Sequence, residues 1–177
     1  MAKFGIKGAR GFSMIELSMV LGLIAVTTAF SVPMLTNSMR SMQLISDARS
    51  IATTMTYARM SATSQMTRYQ LNFDLGNNTW NLQKRNRNTG NYEIQQAVNG
   101  LSNGIAHSGI AFRTTSSTAP TGFPTTSSTS ITFNSRGIPN GIAIVYLSNN
   151  EMNYAVSVSL AGKVQVWRFQ NEQWAPV

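Results

Sequence analysis

GFSMIELSMVLGLIAVTTAFSVP, residues 11–33, decides how the rest of the chain is read. From Phe12 to Val32 it holds one charge, Glu16. As a helix these 21 residues would extend roughly 32 Å at about 1.5 Å each, enough to cross a bilayer core of about 30 Å. A carboxylate near the start of a spanning helix costs a few kcal/mol on insertion scales, so it calls for a partner. The ten residues before it, MAKFGIKGAR, carry Lys3, Lys7 and Arg10 and no acid. By the positive-inside rule this leader stays cytoplasmic and everything after Pro33 lies outside the inner membrane.

A cleaved secretory signal has a shorter apolar core, with small residues at a cleavage site after it. Here the run is long and the polar-to-apolar junction, Gly11-Phe12, comes before it. A plain signal-anchor helix fits the length but leaves Glu16 unexplained. The residues Gly11, Phe12, Ser13, Met14, Ile15, Glu16 and Leu17 closely resemble the processing site of type IV prepilins. The resemblance implies cleavage between Gly11 and Phe12 by a membrane prepilin peptidase, and methylation of the new Phe12 amine. It implies that Glu16, fifth from the cut, pairs with the terminal amine of a neighbouring subunit. It also matches Pro33 to a helix-bending proline.

Beyond Pro33 the helical period continues. Leu44, Ala48, Ile51, Met55, Ala58 and Ala62 fall on one face, small enough on average for close packing on a sheet. No Gly or Pro interrupts residues 34–66, so one long helix is expected, ending near Ser64 to Thr67, with a kink rather than a break at Pro33. From Arg68 the period becomes two. Tyr69, Leu71 and Phe73 predict a strand, Gly76 to Asn78 a turn, and Trp80 and Leu82 the returning strand. A polar turn at Asn86 to Asn91, a strand at Tyr92 to Val98 and another at Ile105 to Arg113 follow.

Thr114 to Ser130 contains 12 Ser or Thr in 17 residues, with Pro120, Gly122 and Pro124. This composition predicts an exposed, mobile loop, a solvated spacer rather than a glycosylated surface. The last third predicts strands at Ile131 to Phe133, Ile142 to Leu147, Tyr154 to Val158 and Val164 to Phe169. The fold class is α+β, a long N-terminal helix on a mainly antiparallel β-sheet. Residues 1–11 are the leader, 12–33 the transmembrane and assembly helix, and 34–177 the globular domain.

The bulk numbers agree with one modest domain. The chain has 177 residues and a formal charge of +8; without the three cations of the leader the excess is +5. That permits contact with anionic surfaces without establishing it. There is no Cys, so no disulfide and no thiol chemistry, and the single His107 argues against a histidine metal site or a serine triad. No paired carboxylates, metal cluster or Gly-rich phosphate loop points to an enzyme, and no cofactor is expected. Asp74, Asn77 and Asn78 lack the acidic spacing of a calcium loop and read as a hairpin turn.

The domain beyond the helix resembles the GspH/FimT-type minor pilins and pseudopilins. The likeness is carried by Asp47-Ala48-Arg49, Tyr57-Ala58-Arg59, the strands around Phe73 and Trp80, ITFNSRG at 131–137 and SLAGKVQV at 159–166. It implies a type IV pilin-like fold and a structural subunit of a type IV pilus or a type II secretion pseudopilus, anchored by one inner-membrane helix with its C-terminal domain periplasmic. Its partners would be other pilins, and its role to initiate or cap the filament; a major pilin is the alternative. Some relatives bind DNA through a Gly-Arg-x-Arg motif. Here Gly162-Lys163-Val164-Gln165 stands in that place, with Lys for one Arg and Gln for the other. Lys163, Arg168, Lys84, Arg85 and Arg87 are the candidate DNA contacts, read in the first instance as a solvated basic surface.

Overall fold

The chain enters its first element at a cap written in the sequence. The computed structural model describes residues 11–102, 109–149 and 151–177. Ser13 and Glu16 form a Ser-x-x-Glu pattern, the signature of a helix start, and α1 runs Met14–Ser64 with Glu16 in its first turn. The carboxylate there also complements the positive end of the helix dipole. The helix continues without a break through Pro33, of which only the backbone is described. Lys3, Lys7, Arg10, His107 and the first four residues of the strand expected at Ile105 to Arg113 lie outside the described residues. The chain divides into two units, Met1–Met39 and Arg40–Val177.

In the first unit, Met14–Ser31 is long and apolar enough to cross a membrane, and none of it is buried. Its hydroxyls are satisfied within the helix. Ser18 Oγ donates to the Met14 carbonyl at 2.8 Å, Thr28 Oγ1 to Ile24 at 2.7 Å and Ser31 Oγ to Thr27 at 2.8 Å. An apolar surrounding therefore meets no unpaired hydroxyl hydrogen at these positions.

In the second unit the expected stripe is the core face. Leu44, Ala48, Ile51, Met55, Ala58 and Ala62 are all fully buried. Each large member contributes about 1.5–3 kcal/mol of burial. The helix stops in a Schellman arrangement: Thr67 N–H donates to the Ala62 carbonyl at 3.1 Å and Met66 N–H to Thr63 at 3.3 Å. Met66 takes the left-handed conformation, φ 48°, at the position usually given to Gly. Arg87 completes the end by donating to the Gln65 and Met66 carbonyls at 2.6 and 2.8 Å.

Among the described residues nine strands follow: β1 (Tyr69–Asp74), β2 (Thr79–Arg85), β3 (Tyr92–Gly100), β4 (Ala111–Arg113), β5 (Ser130–Phe133), β6 (Ala143–Ser148), β7 (Asn153–Val158), β8 (Val164–Gln170) and β9 (Gln173–Pro176). They form two antiparallel sheets rather than one, ordered β3-β2-β1-β5 and β4-β6-β7-β8-β9. The chain crosses between the sheets at β3–β4, β4–β5 and β5–β6, and at the last crossing Pro139 and Gly141 interrupt the alternation. Proline cannot donate to a ladder, so the pairing stops at an isolated Phe133–Pro139 bridge. The α1 stripe and both sheets share one core, to which β1 gives Leu71 and Phe73, β5 Ile131 and Phe133, and β7 Val156 and Val158.

β7 is covered on both faces: Tyr154 through Val158 are all buried, alternately toward the shared core and away from it. A second cluster covers that other face: Ile144, Tyr146 and Ala155, with Ala119, Phe123, Trp167 and Trp174 packed on it. The Ser/Thr-rich segment supplies Ala119 and Phe123, so it is a fastened flap rather than a free spacer. Tyr146 Oη donates to the Pro124 carbonyl at 2.8 Å and Trp174 Nε1 to the Thr118 carbonyl at 3.1 Å. Ser127 Oγ donates to the Arg113 carbonyl and accepts from Tyr146 N–H.

Candidate functional site

Two regions of the chain carry the residues singled out by the sequence. The first is the start of α1. Phe12, Met14 and Ile15 are 83%, 87% and 77% exposed, and Glu16 is exposed with them. A methyl group on Gly11 would meet nothing within 4 Å, so packing within the chain does not require glycine there. Glu16 therefore presents a carboxylate on an otherwise apolar helix surface, beside the chain segment that precedes the helix.

The second region lies where α1 meets the turns of the sheets. Three sequence motifs distant along the chain converge there. Arg59 Nη1 donates to the Gly162 carbonyl at 2.9 Å. Gly162 has φ +77°, and a Cβ on it would lie 2.8 Å from Arg59 Nε and 3.1 Å from the Gly137 carbonyl oxygen. Gly137, φ +74°, is packed against Arg59 Cγ and Thr63 Cγ2 in the same way. Both glycines are needed twice, for the left-handed backbone and for the space the arginine fills. Asp47, in the remaining helix motif, is buried; it accepts from Ser102 N–H at 2.8 Å and Ser102 Oγ at 2.7 Å. The sequence did not assign these tasks to Arg59 and Asp47. Their signal was the recurrence of a charged residue beside the buried Ala48 and Ala58.

The five candidate cations do not form one surface. Lys84, Arg85 and Arg87 line a cleft of about 450 Å³ on the β2–β3 hairpin, together with Glu93. Arg85 Nε is held by the Gly90 carbonyl at 3.2 Å, and Arg87 is engaged at the helix end. Lys163 is exposed in the β7–β8 turn beside the Arg59 contact. Arg168 shares a strand face with Val164 and Val166, whereas Gln165 lies with Trp167 on the opposite face. Arg168 therefore cannot take the place of a second cation at 165. Asp74 is engaged locally: backbone and side-chain donors of Asn77, then Gly76 N–H, hold its carboxyl below the usual carboxylate range. Among the described residues no three His, Cys, Asp or Glu side chains are grouped as for a metal ion.

This arrangement can be set beside known proteins. The model of a family described as type II transport protein GspH matches residues 47–162. The matched span begins at Asp47 and ends at Gly162. No curated protein matches the sequence. Among solved structures, the minor pseudopilin EpsH from the type 2 secretion system of Vibrio cholerae aligns at TM-score 0.53 and 10% identity, over 70% of this chain and 95% of that one. The type IV minor pilin FimU of Pseudomonas aeruginosa aligns at TM-score 0.52 and 15% identity, over 75% of this chain and 92% of that one. At these identities the structural likeness is a likeness of fold.

Proposed function

The chain belongs to the family of the type II transport protein GspH, and on that premise we propose that it is a minor subunit of a type IV pilus or a type II secretion pseudopilus that helps to start or cap the filament. The observation that carries the proposal is the surface of α1 from Met14 to Ser31, apolar, unburied and headed by a single carboxylate. In water such a surface has to be covered. Lipid covers it before assembly, and the helices of other pilins cover it afterwards. In this reading the leader stays cytoplasmic, α1 crosses the inner membrane once, and the domain from Arg40 is periplasmic. The role is structural and needs neither catalysis nor a cofactor.

Processing follows from the same surface. Prepilin peptidase cuts between Gly11 and Phe12, and the Phe12 amine is methylated. Glycine at 11 serves the peptidase, which has to close around the junction; the fold has no use for it. Glu16 is neutralised by the terminal amine of a neighbour once lipid is left behind, since an unpaired carboxylate in an apolar bundle costs several kcal/mol. Pro33 bends the helix without ending it.

The test takes the full chain from membranes and from sheared filaments. Mass spectrometry should find a chain beginning at N-methylated Phe12, intact processing in Gly11→Ala, and none with a bulky residue at Gly11. Glu16→Ala should be inserted and cleaved yet missing from filaments. A chain beginning at Met1, or cut beyond the apolar run, defeats the prepilin reading. Normal incorporation of Glu16→Ala defeats the pairing. A subunit ratio near that of the filament's main component would make this a major pilin.

A further inference from the structure

Asparagine followed by glycine occurs three times in the chain, at Asn99, Asn103 and Asn140. Asn103 lies outside the described residues, and the fold treats the other two differently. Asn99 and Gly100 are strand residues, paired with Trp80 and Thr79 at the end of β3. Asn140 and Gly141 stand at the crossing from β5 to β6, where Asn140 is exposed. Asn140 N–H donates to the Thr132 carbonyl at 2.9 Å, and Thr132 N–H donates back to the Asn140 side-chain oxygen, Oδ1, at 3.2 Å. The pairing stops there. Among the described residues Gly141 N–H donates to no backbone acceptor, and a Cβ on Gly141 would meet nothing within 4 Å. The peptide between Asn140 and Gly141 is therefore free to turn, while the side-chain amide is held in place.

We propose that Asn140 is a site of spontaneous deamidation, a covalent modification that needs water and no enzyme. The Gly141 nitrogen attacks Asn140 Cγ. The new N–Cγ bond forms, the Cγ–Nδ2 bond breaks, and the amide nitrogen leaves as ammonia, taking up the proton lost from Gly141 N–H. Water then opens the cyclic imide at either carbonyl, giving aspartate or isoaspartate. Nucleophile and electrophile sit on adjacent residues, so the first step is unimolecular. Glycine lets the backbone reach ring-closing conformations that other residues seldom enter. Thr132 N–H, donating to Oδ1, stabilises the negative charge that gathers on that oxygen during attack. Arg68 and Asn140 line one cleft of about 280 Å³, so the carboxylate forms where a cation is already present. At Asn99 the strand stands in the way. Extended backbone keeps the Gly100 nitrogen away from Asn99 Cγ, and ring closure requires that end of β3 to open first. The product places a negative charge, and in isoaspartate an extra backbone carbon, at a crossing between the two sheets, so older chains differ from new ones there.

The experiment incubates the detergent-solubilised full chain at mildly alkaline pH and follows each asparagine by peptide mapping, with fragment ions separating Asn99 from Asn103 and isoaspartate from aspartate. Asn140 should convert to a mixture of both acids at least about tenfold faster than Asn99, which reacts only from a locally opened strand. Gly141→Ala should slow Asn140 by about tenfold or more, because alanine restricts the backbone that has to fold back onto Cγ. This variant should keep its fold, since the added methyl meets nothing and Gly141 is not left-handed, and circular dichroism checks it. In denaturant the parent's Asn140 and Asn99 should react at similar rates, because the strand no longer protects Asn99. Conversion of Asn140 no faster than that of Asn99 in the folded chain would overturn the proposal. So would a rate unchanged in Gly141→Ala, a product that is aspartate alone, or an Asn140 preference that persists in denaturant.

Discussion

A methyl group at Gly162 would have to displace Arg59, because its Cβ would sit 2.8 Å from Arg59 Nε. It would also have to hold φ at +77°, which costs an L-residue about 1–2 kcal/mol. Gly162→Ala should therefore destabilise the domain by about 2–3 kcal/mol, the backbone cost plus a lost hydrogen bond of about 1 kcal/mol. Arg59→Ala should cost about 1 kcal/mol for the bond to the Gly162 carbonyl. In the double variant the steric part is gone, so the two losses should fall short of their sum by about 1 kcal/mol. Chemical denaturation of the four chains measures this coupling. Additive losses would mean that Gly162 is required by its backbone alone. The contact matters beyond stability, since Lys163 is carried on the turn that Arg59 holds.

Two devices at the scale of elements were invisible in the sequence. The first is the end of α1. The expected stop near Ser64 to Thr67 agrees with the helix end at Ser64, but the cap is Met66 in a left-handed conformation, where a sequence reader looks for Gly. Met66 is 74% exposed, so Met66→Gly removes backbone strain and little packing, and should raise stability by about 1 kcal/mol in the same denaturation assay. The second device is the flap. A segment rich in Ser and Thr reads as solvated because composition counts side chains one at a time, whereas the fastening comes from a few of them. Phe123 packs edge-on to Trp167 with ring centroids 6.3 Å apart, and Tyr146, from the middle of β6, reaches the Pro124 carbonyl. Burial pushes the Tyr146 hydroxyl up from its ordinary 10.0 to about 12. A raised value in the folded state means the neutral form is preferred there. Its stabilising effect is whole below pH 10 and is lost as pH rises through about 12. Tyr146→Phe should cost about 1 kcal/mol at neutral pH, with the gap to the parent closing between those two values. A gap independent of pH would remove Tyr146 from the alkaline response. By contrast, the α1 stripe and strands β1 and β2 were legible because one strong apolar period ran through each, and β6 because its apolar run is unbroken. β9 was missed because its hairpin turns on Asn171 and Glu172, both with positive φ, and Glu is not a turn marker. The convergence of Arg59, Gly137 and Gly162 was legible only as separate weak motifs, since sequence spacing does not reveal which turns meet.

For the whole molecule, the question is whether a basic subunit of this fold acts on DNA or only in the filament. The formal excess is +8 and three of those charges lie in residues 1–10, so the remaining +5 has to be judged by placement. Phosphate binding by a single surface of three to five cations would give a log–log salt slope of roughly −3 to −5, at about −0.9 per neutralised phosphate. The cations here are divided. Lys84 and Arg85 lie in one cleft with Glu93, Arg87 is engaged at the end of α1, Lys163 is on a turn of the other sheet, and Arg168 faces away from Gln165. Duplex DNA should therefore bind the detergent-solubilised full chain weakly, with a slope no steeper than about −2. Lys163→Ala should flatten it by no more than about one unit, because a single cation neutralises at most one phosphate. Gln165→Arg places a second cation two residues from Lys163, in the spacing that the DNA-binding relatives use, and should tighten binding and steepen the slope by up to about one unit. The contrast between these two variants discriminates the roles. If the parent chain binds duplex DNA tightly at physiological salt and Lys163→Ala abolishes it, the turn lysine is necessary for that binding and the DNA-uptake reading replaces the purely structural one. If the parent is weak and only Gln165→Arg binds well, the fold can hold DNA at that turn while this sequence leaves the second contact out.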